Sequence, residues 1–347
     1  MNIKNKYIIG THVMFYEVEI FSEFVDSLIQ ATNQVANIEN VMVKFMFNFS
    51  ECLEKIDTSL ISKDELKQKF MDEIEKLRSH DIQVRYNFYE DEKLYTIANY
   101  RRDFNYFNCD DYDYLIWGET DALFPKEIFQ ALEAIKDYAN SNGVYRFTTF
   151  FATRKMWDES WKVLEHPKFT DKPYYETKLP DGSRDDRAFN EPHSIRYTMS
   201  LEEMNEINSE AKEFDIQILK QPRFNGCGLV ISSDLIKAGA NIHRGIFGIV
   251  AEDTAFQHSC QQIMGEQYVQ FVVKNILLVH NRNHPNKRNY ALDMDSDRVT
   301  TQDFKGDWFI KLRDLCNKNL NLIGQGQQQF LSFEKDFLKE IDEDTDI

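Results

Sequence analysis

The chain alternates short, continuous apolar runs with longer stretches whose apolar residues recur every three to four positions. Continuous runs of this length are typical of strands buried on both faces, and the longer spacing is typical of amphipathic helices. The pattern predicts strands over residues 7–10, 40–49, 81–89, 113–118, 144–152 and 269–279, and a Gly-containing turn followed by a strand within residues 222–232. It predicts helices over residues 19–31, 63–79, 126–140, 201–213 and 233–240, and helical sequence again from about residue 300.

Strands that alternate with helices indicate a largely parallel sheet. We therefore expect an α/β fold with a mostly parallel, Rossmann-like sheet flanked by helices. One domain would cover residues 1–290, in two parts, 1–125 and 126–290, and residues 291–347 would form a C-terminal helical extension with an acidic tail.

Residues 155–193 break this alternation, because four prolines fall within a charged, aromatic stretch. Such a segment predicts an irregular loop region that covers a site. Exposed aromatic faces suit a sugar or another flat ligand. The candidates for that contact are Trp157, Trp161, Tyr174 and Tyr175.

The chain is acidic, with a formal net charge of -17. A field of this sign repels polyanions, so we expect no nucleic-acid partner. A pyrophosphate can still bind where a divalent cation neutralises the site. The five cysteines form no CxxC pair, and no apolar run reaches the length of a membrane span. These features predict a cytoplasmic protein without a membrane span.

Two acidic residues directly follow the predicted strand 113–118. Glu119 and Asp121 stand one residue apart, and Pro125 opens the next helix. Ligands gather at the carboxyl ends of strands in open parallel sheets, and hard cations such as Mg²⁺ or Mn²⁺ prefer carboxylate ligands. The pair therefore predicts a metal site, although a solvated turn would have the same sequence.

Two further segments carry candidate chemistry. Glu252 and Asp253 form an acidic pair at a predicted helix start, where one carboxylate could act as a general base and where acids also stabilise the helix dipole. His280 ends the last strand, where it could join the same cation, with His284 as the alternative. The basic pair Lys287 and Arg288 follows and could offset the charge of a departing diphosphate.

The order of these pieces resembles the GT-A fold nucleotide-sugar glycosyltransferases, especially the large inverting family that includes cellulose and hyaluronan synthases. The similarity spans roughly residues 7 to 284 and has five parts. They are the strand and acidic helix start with Thr11, His12 and Glu17; the segment Asn99-Tyr100-Arg101-Arg102; Glu119-Thr120-Asp121 with Phe124-Pro125; Phe224-Asn225-Gly226-Cys227-Gly228; and Glu252-Asp253-Thr254.

The resemblance implies a metal-dependent, inverting transfer of a sugar from a UDP-sugar or GDP-sugar to a glycan or other hydroxyl acceptor. Residues 1–125 would be the nucleotide-binding part and 126–290 the acceptor side. Asp253 would be the catalytic base and Glu252 would bind the acceptor. Asp121, Glu119 and His280 would hold Mn²⁺ or Mg²⁺. The donor would contact Thr11, His12, Glu17, Asn99, Arg101, Arg102 and Glu119.

The chain also departs from the family. An Asp-Asp-Gly-Ser segment is missing after the second strand, the metal motif begins with Glu, and no Gln-x-x-Arg-Trp segment is present, so processive polymerisation is not expected. A nucleotidyltransferase is one alternative, although residues 11–17 lack the Gly-rich basic loop that it needs. A non-catalytic protein that retains the fold and a retaining transferase are the others.

Overall fold

The computed structural model describes residues 1–52, 54–91, 93–155, 198–219, 226–248, 251–281, 284, 286–292, 307–327 and 329–333. The strands are β1 (Tyr7–Met14), β2 (Val41–Asn48), β3 (Gln83–Tyr89), β4 (Tyr114–Gly118), β5 (Ala122–Leu123), β6 (Phe147–Lys155), β7 (Ile216–Ile218), β8 (Val230–Ser232) and β9 (Val269–His280). The helices are α1 (Val18–Thr32), α2 (Lys63–Ser79), α3 (Ile97–Asn108), α4 (Ile128–Ser141), α5 (Leu201–Ser209), α6 (Ser233–Lys237), α7 (Glu252–Met264) and α8 (Asp307–Gly324).

All nine strands of the described part of the chain belong to one sheet. Its order is β3-β2-β1-β4-β8-β6-β9-β5, and β7 pairs with β9. Six strands run in one direction, whereas the short strands β5, β7 and β8 run against their neighbours. The expected α/β fold with a mostly parallel sheet flanked by helices is therefore confirmed.

The sheet is covered on both faces, as the continuous apolar runs predict. Strand β4 is buried at all of its positions, and β1 at all but its last. One apolar cluster packs α1, α2 and α4 on one face, and a second packs α3, α6 and α7 on the other. Gly10 permits the second contact, because a Cβ at this position would overlap the ring of Phe104 on α3.

The predicted strand boundaries are close to the observed ones for β2, β3, β4 and β9, whereas β1 continues beyond residue 10 to Met14. In the stretch 222–232, the predicted Gly-containing turn lies at Cys227 and Gly228 and the predicted strand follows as β8, while 221–225 lie outside the described part. Strands β5 and β7 were not predicted, since two or three residues carry no period. The loop aromatics Trp157, Trp161, Tyr174 and Tyr175 also lie outside the described residues.

The C-terminal helix α8 contacts the loop that precedes α7. Asn319 on α8 donates a hydrogen bond of 2.7 Å to the carbonyl oxygen of Gly245. A Cβ on Gly248 would lie 2.7 Å from Sγ of Cys316, so this glycine permits the close approach. No described helix is both long enough and apolar enough to cross a membrane.

Two features of the sheet place the site. The chain runs from β1 through β2 to β3 on one side, while β4 lies on the other side of β1, so the strand order reverses between β1 and β4. Ligands of open α/β sheets bind at the carboxyl ends of strands at such a reversal. The second feature is a register irregularity in the β6–β9 pair, where Phe151 pairs with Val273 but Ala152 pairs with Leu277.

Candidate functional site

Pairing between β5 and β9 brings the acids that follow β4 to the end of β9. Ala122 pairs with His280, and the amide of Asn281 donates a hydrogen bond of 2.7 Å to the carbonyl oxygen of Asp121. A turn closed by a 2.9 Å bond from the amide of Ala122 to the carbonyl oxygen of Glu119 holds the two acids. Residues about 160 positions apart in sequence therefore share one edge of the sheet.

His280 lies between the two carboxylates. Its Nε2 is 3.1 Å from Glu119 Oε2 and 3.4 Å from Asp121 Oδ1. Burial alone would lower the pKa of His280, but Cys227, Asp121 and Glu119 together raise it well above its usual range. Burial would likewise raise the pKa of Glu119, but His280 and Arg101 hold it well below its usual range. The two carboxylates therefore favour a positive charge on the imidazole that lies between them.

A second cation, Lys287, reaches the same acids from the segment after β9. Its Nζ is 2.9 Å from Asp121 Oδ2 and 3.0 Å from Glu17 Oε1. Burial would lower the pKa of Lys287, but the Asp121 and Glu17 charges raise it above its usual range. Glu17 is fixed in turn, because its Oε2 accepts hydrogen bonds of 2.9 Å from the Met14 amide and 2.8 Å from the Thr120 hydroxyl.

Backbone contacts hold the segment that carries Lys287 against the region after β1. The amide of Arg288 donates a hydrogen bond of 2.7 Å to the carbonyl oxygen of Tyr16, and the Arg288 guanidinium lies 4.3 Å from the centre of the Tyr16 ring. Arg288 also forms an ion pair with Glu54. Lys287 is consequently held in place by its own main chain as well as by the acids.

The third cation, Arg101, joins the two acidic motifs. Its Nη2 donates a hydrogen bond of 2.6 Å to Glu119 Oε1, and its Nη1 donates one of 2.8 Å to Glu252 Oε1. The guanidinium also contacts the carbonyl oxygen of Gly226 at 3.2 Å and lies 4.6 Å from the centre of the Trp117 ring. Its side chain is 1% exposed. The guanidinium of Arg101, which the sequence predicts to contact the donor, is therefore hydrogen-bonded to oxygen atoms of the protein itself.

The second acidic motif opens α7. Ala251, which precedes it, has a left-handed backbone with φ of 69°, which is uncommon outside glycine. Burial, followed by the charge of Asp253, raises the pKa of Glu252 to about 8. Asp253 is half-buried, and its Oδ1 accepts a hydrogen bond of 2.7 Å from the amide of Thr254. Burial therefore makes one carboxyl group of the motif a weaker acid, although the Arg101 guanidinium opposes that shift in its pKa.

The remaining predicted donor residues have structural contacts. The Thr11 hydroxyl faces Gly118 of the neighbouring strand. His12 Nε2 accepts a hydrogen bond of 3.0 Å from Asn48 Nδ2, and burial lowers the pKa of His12 to about 3, so its ring is neutral. Asn99 Oδ1 accepts hydrogen bonds from Thr96 and completes the N-terminal cap of α3. These three side chains are folded into the protein around the site.

Arg102 and His284 also contact neighbours outside the acidic cluster. Arg102 Nε lies 3.7 Å from Asp103 Oδ1 on the same helix. His284 Nδ1 accepts a hydrogen bond of 3.1 Å from the Asn286 amide, and burial lowers its pKa. Of the two histidines that the sequence offered as ligands, the one that contacts the acids is His280.

One residue of the cluster was missed in the sequence. Cys227, Glu119 and His280 each offer a possible ligand atom, and these three atoms lie within 4.8 Å of one another. The available signal was the position of this cysteine between Gly226 and Gly228, directly before a strand, in a stretch that was assigned only to the acceptor side.

No protein-family model and no curated protein matches the chain. Among solved structures, it is similar to a UDP-glucose pyrophosphorylase complexed with UDP-glucose, with 6% sequence identity and a TM-score of 0.34. The alignment covers 78% of this chain and 90% of that chain. A likeness at this level carries no argument about activity, so the function must be inferred from the site itself.

Proposed function

We propose that this protein is a metal-dependent glycosyltransferase that moves a sugar from a nucleotide diphosphate sugar to a hydroxyl acceptor. The observation that carries the proposal is the convergence of Glu119, Asp121 and His280 at the strand-order reversal between β1 and β4. Carboxylates and an imidazole at this position are suited to a cation that is shared with a diphosphate.

The donor set fits a divalent ion such as Mn²⁺ or Mg²⁺. Two carboxylates offer the oxygen ligands that suit Mn²⁺ and Mg²⁺, and the imidazole adds a nitrogen ligand. Binding requires that His280 lose its proton, because a metal ligand must be unprotonated. When bound, the ion would neutralise the diphosphate and so make it a better leaving group.

The reaction would be one displacement at the anomeric carbon. Asp253 would take the proton of the acceptor hydroxyl. At the same time the acceptor oxygen would bond to the anomeric carbon, and the bond from that carbon to the diphosphate oxygen would break. Glu252, whose pKa burial raises to about 8, would orient the acceptor through a hydrogen bond. Lys287 would meet the charge that develops on the leaving diphosphate, since it already lies beside Asp121.

A thermal-shift panel of nucleoside diphosphates and nucleotide sugars, with and without Mn²⁺, tests the donor site. A ligand at about 100 times its Kd stabilises the native state by roughly 2.7 kcal/mol, which such a panel detects. We expect a uridine or guanosine diphosphate to shift the melting temperature only with metal, and Asp121→Asn to abolish that shift. Asp137→Asn is the matched control, because Asp137 is an exposed acid whose ion pair with Lys4 is on the surface. An Asp121→Asn variant that responds like the parent would disprove the metal assignment.

The role of Asp253 needs a separate readout. Asp253→Asn should keep the metal-dependent shift and lose sugar transfer, because donor binding and deprotonation of the acceptor use different side chains. A variant that loses both would place Asp253 in the donor site instead. The anomeric configuration of the product then distinguishes inversion from retention.

A nucleotidyltransferase is the second candidate, because the position of Lys287 suits it as well. A lysine fixed beside the candidate metal ligands could serve a reaction at phosphorus equally well. The two reactions differ in their products. A glycosyltransferase releases a nucleoside diphosphate from a nucleotide sugar, whereas a nucleotidyltransferase forms a nucleoside triphosphate when pyrophosphate is added.

A further inference from the structure

We infer that Cys227 is a ligand of the candidate cation, so that the site selects a thiophilic divalent ion over Mg²⁺. This inference rests on the cation site of the proposed function and narrows its cofactor. It starts from the cluster in which ligand atoms of Glu119, Cys227 and His280 lie within 4.8 Å of one another.

The distances suit one ion. Zinc-like ions bind sulfur at about 2.3 Å and imidazole nitrogen at about 2.0 Å, so these two ligand atoms would be about 3.5 Å apart in a tetrahedral site. Small side-chain movements would close the cluster around an ion. Asp121 adds a further oxygen, since its Oδ1 lies 3.4 Å from His280 Nε2. Protein ligands would thus comprise one sulfur, one nitrogen and carboxylate oxygens.

The main chain around Cys227 is fixed. The amide of Gly228 donates a hydrogen bond of 3.0 Å to the carbonyl oxygen of Trp117, and the amide of Trp117 donates one of 2.9 Å to the carbonyl oxygen of Leu229. Gly228 has a φ of 65°, and a Cβ there would overlap Leu278. These contacts tie the cysteine to β4, the strand whose end carries Glu119. The main chain that carries the sulfur is therefore fixed beside the end of β4.

The chemistry of the ligand set determines which ions it accepts. Thiolate ligands select Zn²⁺ and similar ions, whereas Mg²⁺ prefers oxygen ligands and keeps its waters. Binding forms a metal–sulfur bond and releases the thiol proton and the imidazolium proton to solvent. Cys227 is 2% exposed, so its thiol is shielded from bulk solvent.

Co²⁺ is a suitable probe, because a cobalt–thiolate bond gives a charge-transfer absorption band that oxygen and nitrogen ligands do not give. We expect the full-length protein to show this band on Co²⁺ addition, Cys227→Ser to lose it, and Cys109→Ser to keep it. Cys109 is a matched control because it is buried at the end of α3, where its thiol contacts the carbonyl oxygen of Tyr106. Cys227→Ser should also lower the affinity for Zn²⁺ relative to Mg²⁺ by at least tenfold, measured by competition.

The wild-type protein decides the question even if Cys227→Ser fails to fold. Co²⁺ that binds without the band, or a band that persists in Cys227→Ser, would overturn the assignment of Cys227 and leave the cation site standing. Absence of binding by Co²⁺, Mn²⁺ and Mg²⁺ alike would overturn the proposed function as well as this inference.

Discussion

Arg101 and Glu119 form a buried ion pair in which Nη2 donates a hydrogen bond of 2.6 Å to Oε1. The same guanidinium binds Glu252, so one cation is shared by two carboxyl groups from distant segments. Removing one partner of a buried pair leaves an uncompensated charge and costs about 3–5 kcal/mol. We expect Arg101→Met to lower the free energy of unfolding by about this amount, measured by urea denaturation.

Arg78→Met is the control for that measurement. Arg78 pairs with Glu75 on the exposed face of α2, and exposed ion pairs contribute about 0–1 kcal/mol. Equal losses in the two variants would mean that Arg101 acts as an ordinary surface arginine.

Gly226 should not tolerate a side chain. A Cβ there would lie 2.6 Å from Arg101 Nη1 and 3.3 Å from Cβ of Asp253. The guanidinium cannot move aside without breaking its hydrogen bonds to Glu119 and Glu252. We expect Gly226→Ala to destabilise the protein by about 1–3 kcal/mol, the usual cost of overpacking. Gly324→Ala, which meets no atom within 4 Å, should leave the thermal melting temperature nearly unchanged.

His12 should make stability depend on pH in the acidic range. Its pKa is about 3 when folded and about 6.5 when unfolded, so the unfolded chain binds the proton first as pH falls. The contribution of His12 to the free energy of unfolding is therefore complete above about pH 6.5. It is lost toward pH 3 at about 1.4 kcal/mol per pH unit. His12→Gln should have a correspondingly flatter profile in chemical denaturation at each pH. The exposed His80 provides the control, and His80→Gln should follow the parent.

Lys287 should compete with the candidate metal. Its ammonium group contacts Asp121. Removing a unit positive charge this close to a bound cation should make metal binding more favourable by on the order of 1 kcal/mol or more, even with strong screening. We expect Lys287→Met to bind Mn²⁺ roughly tenfold more tightly, measured by the electron paramagnetic resonance signal of free Mn²⁺. Lys69→Met, which removes a half-exposed partner of Glu19, should bind as the parent does. Unchanged or weaker binding in Lys287→Met would show that the lysine does not occupy the cation's place.

The sequence predicts the sheet well, since strands such as β1, β2 and β9 are continuous apolar runs that need burial on both faces. It also predicts that Glu119, Asp121 and His280 lie at one edge, because strand ends share an edge whatever the loops do. The short strand β5 escapes prediction, although its pairing with β9 is what sets these residues side by side.

Helix positions were harder to interpret. Arg101 and Arg102 are neighbours in sequence, but they point in different directions on α3, and only the packed structure assigns the first to Glu119 and Glu252. Asn99 could have been interpreted from its spacing, because Thr96 followed by an amide three residues later is typical of a helix cap. The sequence therefore carries the signal of a helix cap in the same segment that resembles a donor-binding one.

The irregular register between β6 and β9 decides which way His280 points. From Phe151 to Ala152 the partner residue advances from Val273 to Leu277, so β9 holds three more residues than a regular pair would. Side chains alternate between faces with a period of two, so an odd excess turns every later side chain to the opposite face. Deleting one residue from the stretch 274–276 would leave an even excess and aim the imidazole away from the acids while the strand itself could still pair. The parity of this short stretch is thus as much a part of the site as the ligands are.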